Sequence, residues 1–277
     1  MKKILLPVSM LMFVNLSHAG VDTAAFLNVG VSARAMAMGG AFTGVADDTY
    51  ASYWNPAGLG EQNDFSFGSM VQNLGSTQYD TLEDIAPDYQ FLNLILPLPR
   101  MMIPTKGAIG LSLINNTLDN IPVTSLSADG HVVRSQTKDT ENAYFLSYGR
   151  RFLIPGLMLG GSLKYISQNI DGITQGSATG YGFDLGALYR FDEQLSFGFV
   201  MQTGVQMKWD NGHTDYGSLR NRTGVAYTPY NDGIFSLLTA FDLVQVQQRP
   251  LEGHMGTEAA FTVSRGSGDI SFSRVAL

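Results

Sequence analysis

"GYGFDLGALYR" runs from Gly180 to Arg190 and sorts its residues with a period of two. Tyr181, Phe183, Leu185, Ala187 and Tyr189 fall on one face. Gly182, Asp184, Gly186 and Arg190 fall on the other, with Leu188 the one apolar residue out of step. Successive side chains of a β-strand point to opposite faces, so this pattern predicts a strand with one apolar and one polar side. The length suits a tilted strand crossing a bilayer, about 9–11 residues. Strands of soluble domains peak nearer about 5–6.

The same alternation recurs outward from that stretch. In "LMLGGSLKYIS" from Leu157, the residues Leu157, Leu159, Leu163 and Tyr165 share a face, with Ser162 and Lys164 opposite. In "FSLLTAFDLVQ" from Phe235, the apolar stripe is Phe235, Leu237, Phe241 and Leu243, with Asp242 opposite. "LSFGFVMQ" at Leu195, "GAIGLSLIN" at Gly107 and "NAYFLSYGR" at Asn142 behave alike. A soluble sandwich also alternates. Its core would not accept the isolated charges of the polar faces, namely Lys164, Asp184, Arg190, Arg220, Arg222 and Asp242, whereas a wet lumen would. Tyr144, Tyr148, Tyr165, Tyr181 and Tyr189 stand near strand ends, where interfacial girdles lie. The predicted fold class is all-β, a transmembrane antiparallel β-barrel over residues 61–277.

Composition points the same way. Charged residues are 15% of the 277, against about 25% in soluble domains. There are 31 glycines, and mean hydropathy is +0.03. A formal net charge of -7 argues against nucleic acid as a partner. The absence of cysteine excludes thiol chemistry and cysteine-ligated metals. Lys2 and Lys3, the short apolar run Ile4 to Leu16, and Ser17-His18-Ala19 together read as a signal peptide over residues 1–19, cleaved near Ala19. No later apolar stretch is long enough for a spanning helix. The expected location is the outer membrane, with its lipid as surroundings.

Linkers divide by length. "RFDEQ" (Arg190 to Gln194) and "RFLIPG" (Arg151 to Gly156) read as tight turns. Asn115 to Glu141 and Lys208 to Ser218 read as long polar loops, and Ser76 to Gln90 as a further connection. Short turns on one side and long loops on the other are usual for an outer-membrane barrel.

Ahead of the strands lies "FLNVGVSARAMAMGGAFTGVADDTYASYWNPAGLG", Phe26 to Gly60. Its small residues allow close backbone packing, and Asn55-Pro56 signals a turn. Asp47 and Asp48 are too costly for a lipid-facing role and are expected to face luminal arginines or backbone N–H groups. Three runs are distinctive: Ser32-Ala33-Arg34-Ala35-Met36; Met38-Gly39-Gly40-Ala41-Phe42 followed by Ala46-Asp47-Asp48; and Tyr53-Trp54-Asn55-Pro56-Ala57-Gly58-Leu59. Together they resemble the N-terminal signature of the PorV/PorQ family, which is related to the FadL-type long-chain fatty acid transporters of Gram-negative outer membranes. "EGHMGTE" (Glu252 to Glu258) is similar, more weakly, to a late-strand motif on the PorV side. The resemblance implies a FadL-like barrel of fourteen strands with residues 20–60 as a hatch inside the lumen. The hatch residues it singles out are Arg34, Gly39, Gly40, Asp47, Asp48, Tyr53, Trp54, Asn55 and Pro56. Tyr53 and Trp54 either line a ligand path or simply pack. Period-two matching finds about eleven or twelve strands between Phe65 and Val275, so 12–14 are expected. Either strands hide among the loops or the chain is cut short at its C-terminus.

The resemblance implies two functions. One is passive transport of hydrophobic small molecules across the outer membrane, with a hydrophobic ligand. The other is a PorV-like accessory or shuttle barrel of type IX secretion, with secretion-system proteins as partners. No cofactor is expected, and no enzyme. His131, His213 and His254 have no serine-hydrolase, zincin or P-loop motif around them. His254 and Glu258 share a strand face but stand about 13 Å apart, too far to share a metal.

Overall fold

A computed structural model describes residues 23–73, 87–98, 107–126, 132–173, 176–261 and 274–276. The leader lies outside them. The chain begins with a 3-10 turn at Ala25–Asn28, helix α1 (Ala33–Ala37), helix α2 (Ala51–Trp54) and a 3-10 turn at Pro56–Glu61. Strands follow: β1 (Ser66–Asn73), β2 (Asp88–Pro97), β3 (Gly107–Leu126), β4 (Val132–Arg151), β5 (Leu157–Ile170), β6 (Ser177–Arg190) and β7 (Leu195–Gln202). Then come β8 (Gln206–Trp209), β9 (Thr214–Tyr216), β10 (Arg220–Asn231), β11 (Phe235–Val246), β12 (Glu252–Phe261) and β13 (Arg274–Ala276). No helix among the described residues is long and apolar enough to cross a membrane, which says nothing of strands.

All thirteen strands belong to one antiparallel sheet, in the order β1-β2-β3-β4-β5-β6-β7-β10-β11-β12-β13. β8 and β9 stand off that path, yet they continue it. Gln202 faces Arg220 and Gln206 faces Tyr216, which is the register of a single hairpin. Residues 203–205 and 217–219 interrupt it. There the two chains cross at Gly204 and Gly217, where an added Cβ on Gly204 would strike the Gly217 carbonyl. Among the described residues the thirteen stretches thus make eleven strands across the sheet.

Two expected loops are strand instead. Asn115 to Glu141 is largely the outer half of the β3–β4 hairpin, paired as far as Leu126 with Val132. Lys208 to Ser218 holds the end of β8 and all of β9. The outer part of the β3–β4 ribbon runs past its neighbours and lacks the alternation that marks the other strands. β8, in contrast, lies against Ala178–Tyr181 of β6 and buries Met207 within a strand of four residues, too short for a period to be read. The tight turns are as read. In the β6–β7 turn, Asp192 Oδ1 accepts from the amides of Gln194 and Leu195 at 2.9 and 2.8 Å. Asp232 does the same for Ile234 and Phe235 in the β10–β11 turn. Those turns lie at one end of the sheet, and the long hairpins at the other.

The sheet is strongly curved. Tyr50 Oη donates to the Ser69 carbonyl of β1, Ser52 meets Ser112 of β3 at 3.0 Å, and the Trp54 ring lies 4.7 Å from the Arg222 guanidinium of β10. These partners sit within or beside one four-residue helix. In a flat sheet β3 and β10 would be about 24 Å apart, at about 4.8 Å per strand. The strands must therefore bend around residues 23–61. The buried core lies on that concave side, joining Phe26, Val31, Phe42, Tyr53 and Trp54 to Phe91, Ile114, Phe145 and Met207.

Candidate functional site

The inner face and the N-terminal segment make one interlocked site. On β6 the alternation resolves as burial: Asp184 and Leu188 point inward and are buried, while Tyr181, Phe183 and Leu185 are exposed at 69%, 44% and 51%. Leu188, out of step in the sequence, packs inward against Ala46, Ala57 and Met158.

α1 opens at Ser32, whose Oγ accepts from the Ala35 amide at 3.3 Å. This sets Arg34 toward β12. Its Nε donates to Glu258 Oε2 at 2.6 Å, and its Nη1 lies 2.5 Å from Asp47 Oδ1 and 3.3 Å from Asp48 Oδ2. Of the two kinds of partner expected, Asp48 Oδ1 does accept from a backbone amide, that of Tyr50, at 2.9 Å, while the arginine that meets Asp47 and Asp48 is Arg34 of their own segment and not one of the sheet. The reason is local: the turn between α1 and Asp48 folds the two carboxylates back over the helix. Burial alone would lower the Arg34 pKa, but Asp47 and Glu258 outweigh it and hold the guanidinium above its ordinary value. Burial raises the Asp48 carboxyl, and the neighbouring Asp47 adds to the rise, while Arg34 opposes it.

Past α1, Gly39 and Gly40 reverse the chain at φ 62° and 77°, a region other side chains rarely adopt. Their carbonyls are taken by the sheet. His254 Nδ1 donates to Gly39 O at 2.7 Å and Arg222 Nη2 to Gly40 O at 2.7 Å. Asp242, fully buried on β11, accepts from the amides of Phe42 and Thr43 at 3.1 and 3.0 Å. Its Oδ2 stands 3.6 Å from Arg222 Nη2. Arg190, at the end of β6, pairs with Glu61 at 2.6 Å and donates to the carbonyls of Gly44 and Val45 at 3.0 and 2.7 Å.

Asn55 joins the two helical turns to the wall. Its Nδ2 donates to the carbonyls of Thr43 and of Ala187 on β6 at 2.9 and 3.1 Å, while Oδ1 caps the Pro56 turn by accepting from Ala57 N at 3.1 Å. Pro56, at the first position of that turn, has no amide to leave unpaired. Tyr53 and Trp54 pack. They meet edge-on at 5.3 Å, Tyr53 Oη donates to the Leu27 carbonyl and Trp54 Nε1 to that of Val31. On the far side, Asn93 Nδ2 donates to the Thr49 carbonyl, and Ser112 bridges Asn93 and Ser52.

What admits this segment is a collar of inward glycines. Gly149, Gly160 and Gly186 stand in one cross-strand row on β4, β5 and β6. An added Cβ on the first two would strike the Pro56 backbone, and on the third the Asn55 side chain. Gly198 and Gly224 form a second paired row against Thr43 and Gly44, and Gly256 lies against Met38. Sequence reading placed Gly186 on the polar face without assigning it a role. The missed signal was the recurrence of glycine at inward positions. Glu258 and Glu61 were missed as well, because their partners are distant in sequence.

Three further residues expected on the inner face, Lys164, Asp184 and Arg220, are apart from the segment's clamps. Lys164 and Asp184 form a buried pair at 2.6 Å on β5 and β6. Arg220, with Lys164, Gln202 and Ser218, lines a polar cavity of about 50 Å3 beside residues 23–28. Cavities of about 290 and 320 Å3 flank the Arg190–Glu61 pair at the short-turn end. No group of three or more His, Cys, Asp or Glu side chains among the described residues is placed to hold a metal ion.

No protein-family model matches the chain, and no curated protein matches it in sequence, so the PorV/PorQ resemblance has no such match behind it. Among solved structures it is similar to the toluene transporter TodX of Pseudomonas putida, with a TM-score of 0.51, 11% identity and coverage of 85% of this chain and 80% of that one. It is also similar to the toluene transporter TbuX of Ralstonia pickettii, with a TM-score of 0.51, 14% identity and coverage of 84% and 82%. At such identity the likeness is one of fold, and it extends over most of both chains.

Proposed function

We propose that the chain is an outer-membrane β-barrel that lets small hydrophobic molecules cross, with residues 23–61 as a hatch in its lumen. The observation that carries this is the division of the sheet: an apolar outer face, and an inner face given over to one polar-clamped segment. On β6 the outward residues from Tyr181 to Tyr189 are eight residue steps apart, about 26 Å along the strand. At a tilt of about 40° that is about 20 Å of depth, close to the apolar band of about 25 Å in such barrels. An aromatic ring stands at each end. A soluble protein would not expose a face of this size, since patches beyond a few hundred Å² are rare. Inside, Phe26, Tyr53, Phe91, Phe145 and Met207 form a packed apolar cluster, so on this reading residues 23–61 must shift to let a greasy solute pass. Fold similarity to two toluene transporters supports the same reading, and toluene is the first probe it suggests.

Gram-negative cells carrying the chain should take up labelled toluene faster than cells carrying an empty vector, with the protein recovered in the outer-membrane fraction. Outer-membrane recovery with no faster entry of toluene or of an alkane would end the transport reading and leave the barrel. Recovery in the soluble periplasm would end both.

A further inference from the structure

At the short-turn end, one side chain of the sheet holds two separate stretches of the N-terminal segment. Arg190, the last residue of β6, donates through Nη1 to the Gly44 carbonyl at 3.0 Å and through Nη2 to that of Val45 at 2.7 Å. The same guanidinium reaches Glu61 Oε2 at 2.6 Å. Glu61 closes the 3-10 turn through which the segment leaves for β1. Arg190 thus ties the middle of the segment, its end and the sheet together at one point.

This clamp differs from its neighbours in exposure and in packing. The side chains of the Arg34–Glu258 pair are 14% and 4% exposed, and Asp242 and Asn55 are fully buried. Those of Arg190 and Glu61 are 25% and 22% exposed. Parting a buried pair strands a charge, whereas water solvates the partners of a wet pair as they separate. Along the glycine collar the segment's backbone lies hard against the sheet. Beside Arg190 there is space on both sides. The cavity of about 290 Å3 is lined by Val45, Leu195, Ala226 and Leu238 together with Asp192 and Glu193. The cavity of about 320 Å3 is lined by Phe152, Ile154, Pro155, Leu157 and Met158. Arg190 and Glu61 line both, so the ion pair is the partition between them. A cavity of about 150 Å3 is enough for benzene, so either has the volume for an aromatic ring. Each also borders the apolar interior. Val45 belongs to the cluster of Phe42, Tyr53 and Trp54, and Met158 packs with Ala46, Ala57 and Leu188.

We propose that Arg190 and Glu61 form the latch at which a hydrophobic solute leaves the interior. When the Glu61 carboxylate withdraws from the guanidinium, the two cavities join into one opening at the short-turn end, while the buried clamps of Arg34, Asn55 and Asp242 keep the rest of the segment in place. The inference rests on the transport reading above and adds the point at which residues 23–61 yield.

The chain has no cysteine, so Arg190→Cys combined with Glu61→Cys supplies a single pair of thiols. In Gram-negative cells, joining that pair with a short bis-maleimide should slow labelled toluene entry about tenfold relative to the same cells before treatment, as expected where opening controls passage. Cells carrying either single cysteine variant, or the cysteine-free chain, should show no slowing under the same treatment. A merely structural clamp would not respond, because the join preserves a contact the fold already has. Equal entry before and after joining, with the join confirmed by intact mass, overturns the latch and indicates an exit elsewhere, such as sideways through the sheet. Should the double variant not reach the outer membrane, Glu61→Gln decides, since it keeps the shape and removes the charge. Entry should then rise by about twofold or more, the order of an exposed ion pair, and unchanged or slower entry overturns the latch. Toluene entry no faster with the unaltered chain than with an empty vector overturns the transport reading itself, whereas entry that is faster but indifferent to the join overturns only the latch.

Discussion

Arg34 meets three carboxylates, and they are unequal. Glu258 is buried, with a side chain 4% exposed, while Asp47 is 38% exposed. Removing the partner of a buried charge costs about 3–5 kcal/mol, because the charge left behind has neither water nor a counterion. Arg34→Ala should therefore lower unfolding stability in detergent by about that amount. Asp47→Asn, at a solvent-screened pair, should cost no more than about 1 kcal/mol. Equal losses in a denaturant titration would contradict the asymmetry. Asp48 supplies a pH test. Its folded carboxyl titrates above the ordinary range, so the fold favours the protonated form. That contribution is full below the unfolded value, about 3.9, and is lost as pH rises through the higher folded value. Above about pH 4 the chain should lose stability relative to Asp48→Asn as pH rises through that folded value, read as the difference in Tm. A flat difference would show that Arg34 fully offsets the burial.

At the scale of elements, the strands answer to two different constraints on their two faces. Inward positions must leave room for backbone, which only glycine does where Pro56 meets β4 and β5. Gly160→Val should expose the N-terminal segment to added protease and cost at least about 1–3 kcal/mol, as overpacking does. Gly253→Ala, where a Cβ has nothing nearer than the Phe241 ring at 3.7 Å, should leave both unchanged. Outward positions face the proposed lipid. Leu185→Arg, mid-strand on β6, should cost about 2–4 kcal/mol in bilayers, as a cation at the midplane of such a barrel does. A soluble sheet would tolerate it, because the arginine would stay in water, and an unchanged stability in vesicles would count against the membrane.

For the whole molecule, closure is the property with a direct readout. Backbone groups within lipid have to be paired, so a closed barrel should migrate differently on a gel before and after boiling. Identical migration would mean that the sheet, curved as it is, has open edges. The sequence alone determined the all-β class. A period of two is local, so the faces of β5, β6, β7 and β11 could be read strand by strand, and the inward positions of Lys164, Asp184 and Asp242 with them. The Asn55-Pro56 turn was equally local. Other features depended on distant residues. The outer halves of β3 and β4 hold no apolar stripe and become strand only by pairing with each other. β8 and β9 become extensions of β7 and β10 only through a shared register. Arg34 rather than a wall arginine receives Asp47 and Asp48, and Glu258 joins it from 224 residues away. The glycine collar is invisible in any one strand and gains its meaning when six strands bring their inward glycines to one segment. Period and turn chemistry are written residue by residue along the chain. Curvature, and therefore which residues meet across the interior, exists only when the strands are assembled.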